Sequence, residues 1–370
     1  IISHNIGPES LHCECCQDSA KVPEQEEYWF CKKEKKFIPT ILGLLIEKRN
    51  ELKKKIKEAK AKKVDTQILE AQSYAIKTLA NSFYGYLGFF GARWYCLECV
   101  KSTTSYARNY IKSTIKKAQE AGFKVCYSDT DSCFILLGDK KLEEALAFQK
   151  EINKNLPAQM ELDLENYYPK GIFVATKSSE KWKNTDKEKN IEKGAKKKYA
   201  LISKEGKLKI TGFETVRRNI SPIAKEVQQQ VLILILNNKS KEALTYIREV
   251  IKNLKKGQIP TSKLIIKTQI TKEISKYSSI GPHVAIARKM LEQKIPVGPG
   301  TLIEYNICKG SGLIRDRAKL PSEVKDGDYD SDYYLNNQII PAVSSIFAVL
   351  GYKESDLYSE DSQEGLGKFF

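Results

Sequence analysis

A chain of 370 residues, of which 41% are hydrophobic, has enough apolar material for two or three domain cores, and this excludes wholesale disorder. Its 62 basic and 46 acidic residues give a net charge of +16, which favours a polyanionic partner such as nucleic acid, although lysine-rich surfaces also accompany adaptation to heat. The strongest apolar run, Val231–Leu236, is far shorter than the ~20 residues of a membrane helix, so we expect a soluble cytoplasmic protein without a membrane partner.

A cysteine-rich segment comes first in the chain. Four of the nine cysteines are Cys13, Cys15, Cys16 and Cys31, and two more form a C-x-x-C pair, Cys96 and Cys99. Structural disulfides, as in intracellular proteins of hyperthermophiles, or buried thiols are one interpretation. Zinc is a second, because four thiols at short spacing can close a tetrahedral site, although C-x-C-C is not a usual ligand spacing. Redox catalysis is a third.

Two helices joined by a short turn are predicted next. The first runs from Pro39 to Lys63, and its apolar residues at helical spacing are Ile41, Leu44, Leu45, Leu52 and Ile56. The second is predicted to begin at a cap formed by Asp65 or Thr66 and to end near Tyr84, at Gly85. Arg49 and Lys53 are then expected on one exposed stripe of the first helix. Lys77, Asn81 and Tyr84, at i, i+4 and i+7, share a face of the second helix.

A mixed region of helices and strands is predicted from residue 103 to residue 210. Helices are expected at 103–122 and 141–156, with strands at 123–137 and 162–175 and a hairpin at 199–210. We expect these strands to form one antiparallel sheet with helices on one face, which makes the fold class α+β. Beyond residue 212 mainly helical segments are predicted, including 221–236 and 239–254.

Acidic residues in two of these strands are candidate metal ligands. Asp129 and Asp131 lie two residues apart at a predicted turn, and in an extended strand such residues point the same way. Both could then face one Mg²⁺ ion, which prefers oxygen ligands, although Asp is also common in turns as a backbone cap. Glu161, Asp163 and Glu165 would likewise share one face of a strand, and a solvated acidic edge is the alternative.

Three strings in a fixed order carry a family resemblance. They are KTLANSFYGY at 77–86, YSDTDS at 127–132 and QEGLGKFF at 363–370. Together they resemble the C-terminal part of an archaeal-type family B DNA polymerase, and the likeness extends over essentially the whole chain. In family terms, a palm entry segment with the cysteine cluster covers 1–38 and the helical-hairpin fingers cover 39–85. The palm covers 86–210, the mostly helical thumb 211–355 and a flexible clamp-binding tail 356–370.

The resemblance implies template-directed DNA synthesis from dNTP substrates. Lys77 would grip the triphosphate together with Arg49 and Lys53, while Asn81 and Tyr84 would shape the nucleotide pocket. The implied catalytic and metal residues are Asp131 and Asp129, with Glu165 as a further metal ligand for two Mg²⁺ ions.

DNA and clamp contacts follow from the same resemblance. Lys197, Lys198 and Tyr199 match a block that contacts the primer strand, with an ordinary charged loop end as the alternative. Arg217 and Arg218 match the palm-to-thumb junction and would contact phosphates of primer-template DNA. The tail residues that would bind a sliding clamp of the PCNA type are Gln363, Leu366, Phe369 and Phe370.

The resemblance also raises expectations about cysteines and about an additional chain part. Cys16 with Cys31, and Cys96 with Cys99, match positions that form disulfides in heat-adapted members, whereas Cys13, Cys15 and the insertion at 177–198 depart from the family pattern. The first residues resemble the sequence just after the family's first motif. We therefore expect the remaining catalytic Asp and the exonuclease in an N-terminal part, supplied as a separate subunit or missing from this sequence.

Two functional hypotheses stay open at this point. The first is the nucleotidyl-transfer part of a replicative, nucleoid-associated polymerase. The second is a non-catalytic subunit that binds DNA and docks on a clamp. Reverse transcription is disfavoured, because such enzymes usually have adjacent aspartates where this chain has D-T-D.

Overall fold

Helices and small antiparallel sheets alternate along the chain in two units, Ile1–Glu165 and Asn166–Phe370. The computed structural model describes residues 1–17, 21–157, 160–175 and 194–358. The α+β class predicted from the sequence is confirmed. Among the described helices, none combines the length and the apolar character needed to cross a bilayer. The boundary between the units falls inside the predicted palm, and the functional domain bounds stay a prediction.

The first unit contains two β-hairpins and a set of long helices. Its elements are β1 (Lys21–Val22), β2 (Gln25–Trp29), α1 (Phe37–Ala61), α2 (Gln67–Leu87), α3 (Leu97–Glu120), β3 (Lys124–Asp129), β4 (Ser132–Leu136) and α4 (Leu142–Lys154). Helix α3 contacts α2 and both hairpins, β1–β2 and β3–β4. It therefore links the parts of this unit that carry the predicted site residues.

The helical hairpin α1–α2 confirms the predicted pair, with two differences. Helix α2 does not end at Gly85 but continues to Leu87, because Leu87 is 1% exposed and its burial in the core outweighs the ~1 kcal/mol that a helical glycine costs. On α1, Ile38, Leu42 and Leu52 are buried, whereas Leu44 is 61% exposed and lies off the buried stripe. The expected place of Leu44 on the apolar side was therefore wrong.

The prediction of one sheet across the region from 123 to 210 was wrong. Strands β3 and β4 form a separate two-stranded sheet, and residues 160–168 form no strand. The reason is that side chains of α4 bind the backbone of Leu162. Asn153 accepts from its N–H at 2.8 Å and donates to its carbonyl at 3.0 Å, and Gln149 donates to the same carbonyl at 2.7 Å. These backbone groups are consequently unavailable to a strand ladder.

The second unit combines a β-meander with helices and a further sheet. Its elements are β5 (Lys170–Ala175), β6 (Gly194–Ile202), β7 (Leu208–Thr211), α5 (Pro222–Leu236), α6 (Ser240–Lys255), β8 (Ile266–Gln269), α7 (Pro282–Glu292), β9 (Leu302–Ile307), β10 (Ala318–Lys319), α8 (Ser331–Tyr334), a π-helical turn (Leu335–Ile339) and α9 (Ile340–Val349). The β6–β7 hairpin and helix α5 match their predictions. The antiparallel sheet β10–β9–β8, inside the region predicted to be mostly helical, was not predicted.

None of the nine cysteines, all of which lie in described residues, forms a disulfide. The pairings that the family resemblance implied, Cys16 with Cys31 and Cys96 with Cys99, are therefore not what the structure has. Cys96 and Cys99 are buried thiols at the start of α3. The sulfur atoms of the other cluster, Cys13, Cys15, Cys16 and Cys31, all lie within 4.8 Å of one another.

Candidate active site and nucleic-acid interface

The acidic turn joins β3 to β4. Asp129 is the last residue of β3 and pairs with Ser132, the first residue of β4, while Asp131 lies in the turn between them. Thr130 has a φ of 58°, so the chain reverses between the two acids. The expectation that both carboxylates point the same way along an extended strand therefore loses its basis. The two acids lie instead on either side of Thr130 in a tight turn, which the hydroxyl of Ser128 closes by donating to the carbonyl of Ser132 at 3.0 Å.

The carboxylate of Asp131 is exposed and has no hydrogen-bond or ion-pair partner among the described residues. Asp129 is half-buried and accepts a weak hydrogen bond from Thr130, with 3.3 Å between the oxygens. Two carboxylates on a tight turn form the oxygen donor set that Mg²⁺ prefers, and an exposed carboxylate leaves room for water and substrate oxygens. This donor set fits a magnesium ion.

Cationic and polar side chains lie on the two helices of the first hairpin. Arg49 and Lys53 are one helical turn apart on α1, and Lys77, Asn81 and Tyr84 are exposed along α2. In the described part of the chain, Lys53 and Lys77 have no ion pair. The Nε atom of Arg49 is buried without a hydrogen-bond partner.

At the tip of the same hairpin, one cation does have an acidic partner. There Lys60 of α1 forms an ion pair with Glu70 of α2 at 2.8 Å. Lys53 and Lys77, farther from the tip, are thus available for an anion, whereas Lys60 is already neutralised by an acid.

The acids after α4 are exposed and lie outside any strand. The hydrogen bonds to Leu162 described above hold the segment that carries Glu161 and Asp163 against α4. Glu165 is the last residue of the first unit. Its assignment as a metal ligand no longer follows from strand alternation and stays a prediction.

In the second unit, Lys198 is bound inside the protein. Its Nζ atom lies 3.0 Å from a carboxylate oxygen of Glu214 and 5.0 Å from the ring centre of Phe213, and the side chains of the ion pair are only 19% and 11% exposed. Gln228 of α5 donates to the other oxygen of Glu214 at 2.8 Å. Lys198 is therefore engaged within the protein, and its assignment as a DNA contact stays a prediction.

Glu214 and Gln228 are residues that the sequence reasoning missed. A signal was present, because Gln228 interrupts an otherwise apolar stripe on α5 in which Ala224, Val227 and Val231 are buried. A buried amide there requires polar partners. Its carbonyl accepts from the N–H of Thr215 at 2.8 Å, which fixes the segment after β7.

The other predicted DNA contacts of this unit are more accessible. Lys197, Arg217 and Arg218 are exposed, and Tyr199 is half-buried with its ring 5.5 Å from that of Phe173. Arg217 and Arg218 follow a short 3₁₀ turn, Glu214–Val216, which the Glu214 network anchors. The predicted clamp-binding residues Gln363, Leu366, Phe369 and Phe370 lie outside the described residues, as does most of the insertion at 177–198.

Comparisons with known proteins identify the family. The model of the DNA polymerase family B matches residues 1–350. A DNA polymerase of Thermococcus gorgonarius is 41% identical over 377 aligned residues, covering 99% of this chain and 46% of that protein. DNA polymerase 1 of Pyrococcus abyssi (strain GE5 / Orsay) is 41% identical over 375 aligned residues, with the same coverage.

A solved structure is similar as well. The family B DNA polymerase from the hyperthermophilic archaeon Pyrobaculum calidifontis has a TM-score of 0.67 and 30% identity, covering 95% of this chain and 44% of that one. The chain therefore spans about half the length of the relatives that it matches. With a family model matched over residues 1–350, this chain belongs to DNA polymerase family B.

Proposed function

We propose that this chain performs the nucleotidyl-transfer step of template-directed DNA synthesis as the C-terminal part of a family B DNA polymerase. The observation that carries the proposal is the combination, within one unit, of exposed Asp131 on the β3–β4 turn with the unneutralised cations of the α1–α2 hairpin. Phosphoryl transfer requires both features: oxygen ligands for metal ions, and cations for the departing pyrophosphate.

Each group has a distinct part in this reaction. Arg49, Lys53 and Lys77 hold the triphosphate of the incoming dNTP, and they stabilise the negative charge that grows on the leaving pyrophosphate. Asn81 and Tyr84, on the same face of α2 as Lys77, bound the nucleotide pocket. Together these side chains would orient the α-phosphate toward the 3′-hydroxyl of the primer.

The acidic turn supplies the metal site of the proposal. Asp131 and Asp129 would hold Mg²⁺ together with an Asp from the N-terminal part, and Glu165 is the candidate for a further ligand. When bound, two such ions activate the primer hydroxyl and neutralise the leaving oxygen. Asp131 would present its exposed carboxylate to the metal from a turn that the hydrogen bond of Ser128 keeps closed.

The second unit contributes the contacts to primer-template DNA. Arg217 and Arg218 contact backbone phosphates, and Lys197 and Tyr199 lie beside the primer strand. Lys198 orients this surface through Glu214. Such contacts fix the position of the duplex without reading its sequence.

Two partners complete the proposal. In this proposal, activity requires an N-terminal polymerase part that supplies the remaining catalytic Asp; the chain itself spans 46% of the Thermococcus gorgonarius relative. An exposed aromatic cluster, Phe89, Phe90, Trp94 and Tyr95, is a surface that such a part could cover, because Phe90 is 85% exposed. The tail would hold a sliding clamp through Gln363, Leu366, Phe369 and Phe370.

Primer extension tests the proposal. The chain is mixed with the N-terminal polymerase part encoded in the same genome, and incorporation of dNTPs into a primer-template is followed alongside DNA binding. Extension by the mixture, and by neither part alone, is the expected result. Binding of DNA and clamp without extension by the mixture would instead favour the non-catalytic subunit.

A further inference from the structure

We propose that Cys13, Cys15, Cys16 and Cys31 form a structural zinc site that links residues 13–16 to the segment before the N-terminus of helix α1. The four sulfurs lie within 4.8 Å of one another, although Cys31 is 15 residues from the nearest of the other three. Local sequence alone does not bring them together. No role in the proposed polymerase reaction uses this cluster.

The distances between the sulfurs fit a single tetrahedral ion. The sulfur of Cys15 lies 3.6 Å from that of Cys16 and 3.8 Å from that of Cys31. Four thiolates that each bind zinc at about 2.3 Å occupy the corners of a tetrahedron with edges of about 3.8 Å. A polynuclear iron–sulfur cluster would place several irons between the sulfurs and hold them farther apart. The spacing therefore favours one ion.

Backbone pairing holds the two segments that carry the cysteines side by side. An antiparallel bridge pairs Leu11 with Phe30, so the chain on either side of it runs directly beside the segment that ends at Cys31. The N–H of Cys31 donates to the carbonyl of Ser10 at 2.9 Å. The indole N–H of Trp29 donates to the carbonyl of Cys13 at 2.8 Å. Both sides of the cluster are thus positioned by the protein before any ion binds.

A backbone amide points at one of the sulfurs in the manner that thiolate ligands require. The N–H of Lys32 donates to the sulfur of Cys16 at 3.4 Å. This hydrogen bond stabilises negative charge on sulfur and orients the ligand. Four thiolates and one Zn²⁺ have a net charge of −2, and the segment that follows Cys31 carries Lys32, Lys33 and Lys35 as compensating charge, whereas Lys36 is paired with Glu34 at 2.6 Å.

The chemistry of the cluster separates zinc from its rivals. Thiolate ligands select a soft or borderline ion rather than Mg²⁺ or Ca²⁺. A disulfide between two of the cysteines would use only half of the cluster and would leave the other two thiols packed against it. A tetrahedral ion uses all four, including Cys13 and Cys15, for which the family resemblance offers no explanation.

The site is connected to the element that carries Arg49 and Lys53. The amide of Asn5 donates to the carbonyls of Cys31 and Glu34, both at 2.7 Å. Its carbonyl oxygen accepts from the N–H of Lys36 at 3.0 Å, directly before α1 begins. Zinc bound at Cys31 would therefore stabilise the segment from which α1 starts, since metal binding energy becomes folding energy.

The test measures metal in the full chain. After expression with added zinc and desalting without chelator, elemental analysis should give about one zinc per chain. Replacement of zinc by Co²⁺ should give the intense visible absorption of a tetrahedral cobalt–thiolate site. This spectrum requires no variant and therefore stays informative if a variant misfolds.

Variants assign the ligands. Cys31→Ser should lower zinc affinity at least about 100-fold, because a ligand loss costs no less than loss of a supporting hydrogen bond. Cys126→Ser, which removes an exposed cysteine outside the cluster, should leave the zinc content unchanged. The proposal is overturned if the reduced chain holds less than about a tenth of a zinc ion. Zinc retained in Cys31→Ser, or a Cys16–Cys31 disulfide found by peptide mapping of fresh protein, would equally overturn it.

Discussion

Lys77 and Lys60 lie on the same helical hairpin but differ in their partners. Lys60 is paired with Glu70 at 2.8 Å, whereas Lys77 has no acid partner in the described residues. If Lys77 holds the triphosphate, Lys77→Ala should lower kcat/KM for dNTP incorporation about 10- to 100-fold, the loss of one charge-assisted contact in the transition state. Steady-state primer extension at varied dNTP concentration measures this effect. Lys60→Ala, the matched control, should stay within about twofold, and equal effects of the two changes would refute the assigned role.

His4 gives the first unit a dependence on pH. Its ring is stacked on that of Tyr106 at 3.6 Å between centroids and shares a hydrogen bond of 2.8 Å with Tyr110. Burial, with a smaller contribution from Lys32, lowers the pKa of His4 from 6.5 to about 4. Between these values the unfolded chain binds more protons than the folded one, so the free energy of unfolding falls as the pH decreases through this window.

The variant His4→Phe keeps an aromatic ring beside Tyr106 but cannot titrate. We expect urea denaturation between pH 7 and pH 4 to show a smaller loss of stability in His4→Phe than in the parent chain. Carboxyl groups titrate equally in both proteins, so the difference between the two curves isolates the histidine. Parallel curves would show that folded His4 protonates as readily as the unfolded residue.

At the scale of elements, the start of the segment after β7 depends on one glycine. Gly212 has a φ of 70°, and a Cβ atom there would lie 1.7 Å from the carbonyl oxygen of Lys197. Gly212→Ala should therefore lower the free energy of unfolding by more than about 3 kcal/mol, since backbone strain and a clash add. Hydrogen exchange of β6 and β7, with urea denaturation, measures the loss.

Gly206, in the β6–β7 turn, is the control for this change. Its φ is 78°, but a Cβ atom there would meet nothing within 4 Å. Gly206→Ala should cost only the left-handed strain of about 1 kcal/mol. Equal losses for the two variants would mean that the close approach of Lys197 to Gly212 does not matter.

Elements with local signals were predictable from the sequence, and those that depend on distant partners were not. The apolar period predicted α1, the cap candidates Asp65 and Thr66 predicted the start of α2, and Ser221 before Pro222 marked the start of α5. The strand predicted at 162–175 does not form over residues 162–168, because the partners of Leu162 are side chains of α4, which no strand pattern reveals. The sheet β10–β9–β8 was missed because its pairings span loops and a helix.

The candidate site shows the same division. The acids and cations were identified from their strings, but the engagement of Lys198 depends on Glu214, 16 residues further along. The turn at Thr130 replaced the predicted strand geometry because one positive φ reverses the chain.

At the scale of the whole molecule, the net charge of +16 should appear in the salt dependence of DNA binding. If Arg217 and Arg218 each contact one phosphate, the double variant Arg217→Ala/Arg218→Ala should reduce the slope of log K against log salt by about 2. Binding should weaken equally for unrelated primer-template sequences. Fluorescence anisotropy at several salt concentrations measures both.

Surface lysines of the same unit that are already paired with acids provide the control. Lys239 lies 3.1 Å from Glu242, and Lys276 lies 2.9 Å from Glu273. Lys239→Ala/Lys276→Ala removes the same charge, and its slope should change by less than about 0.5. A slope that depends only on the number of charges removed would argue against a defined phosphate contact at the two arginines.

The central claim is that Asp131 binds catalytic metal in a polymerase completed by an N-terminal part. The most direct measurement is the single-turnover rate of dNTP incorporation by the completed enzyme, comparing Asp131→Ala with Asp139→Ala. Asp139 is an exposed acid in the turn after β4 and serves as the matched control. We predict that Asp131→Ala lowers the rate at least about 100-fold with primer-template binding retained, and that Asp139→Ala leaves it unchanged. Equal rates in the two variants would contradict the account.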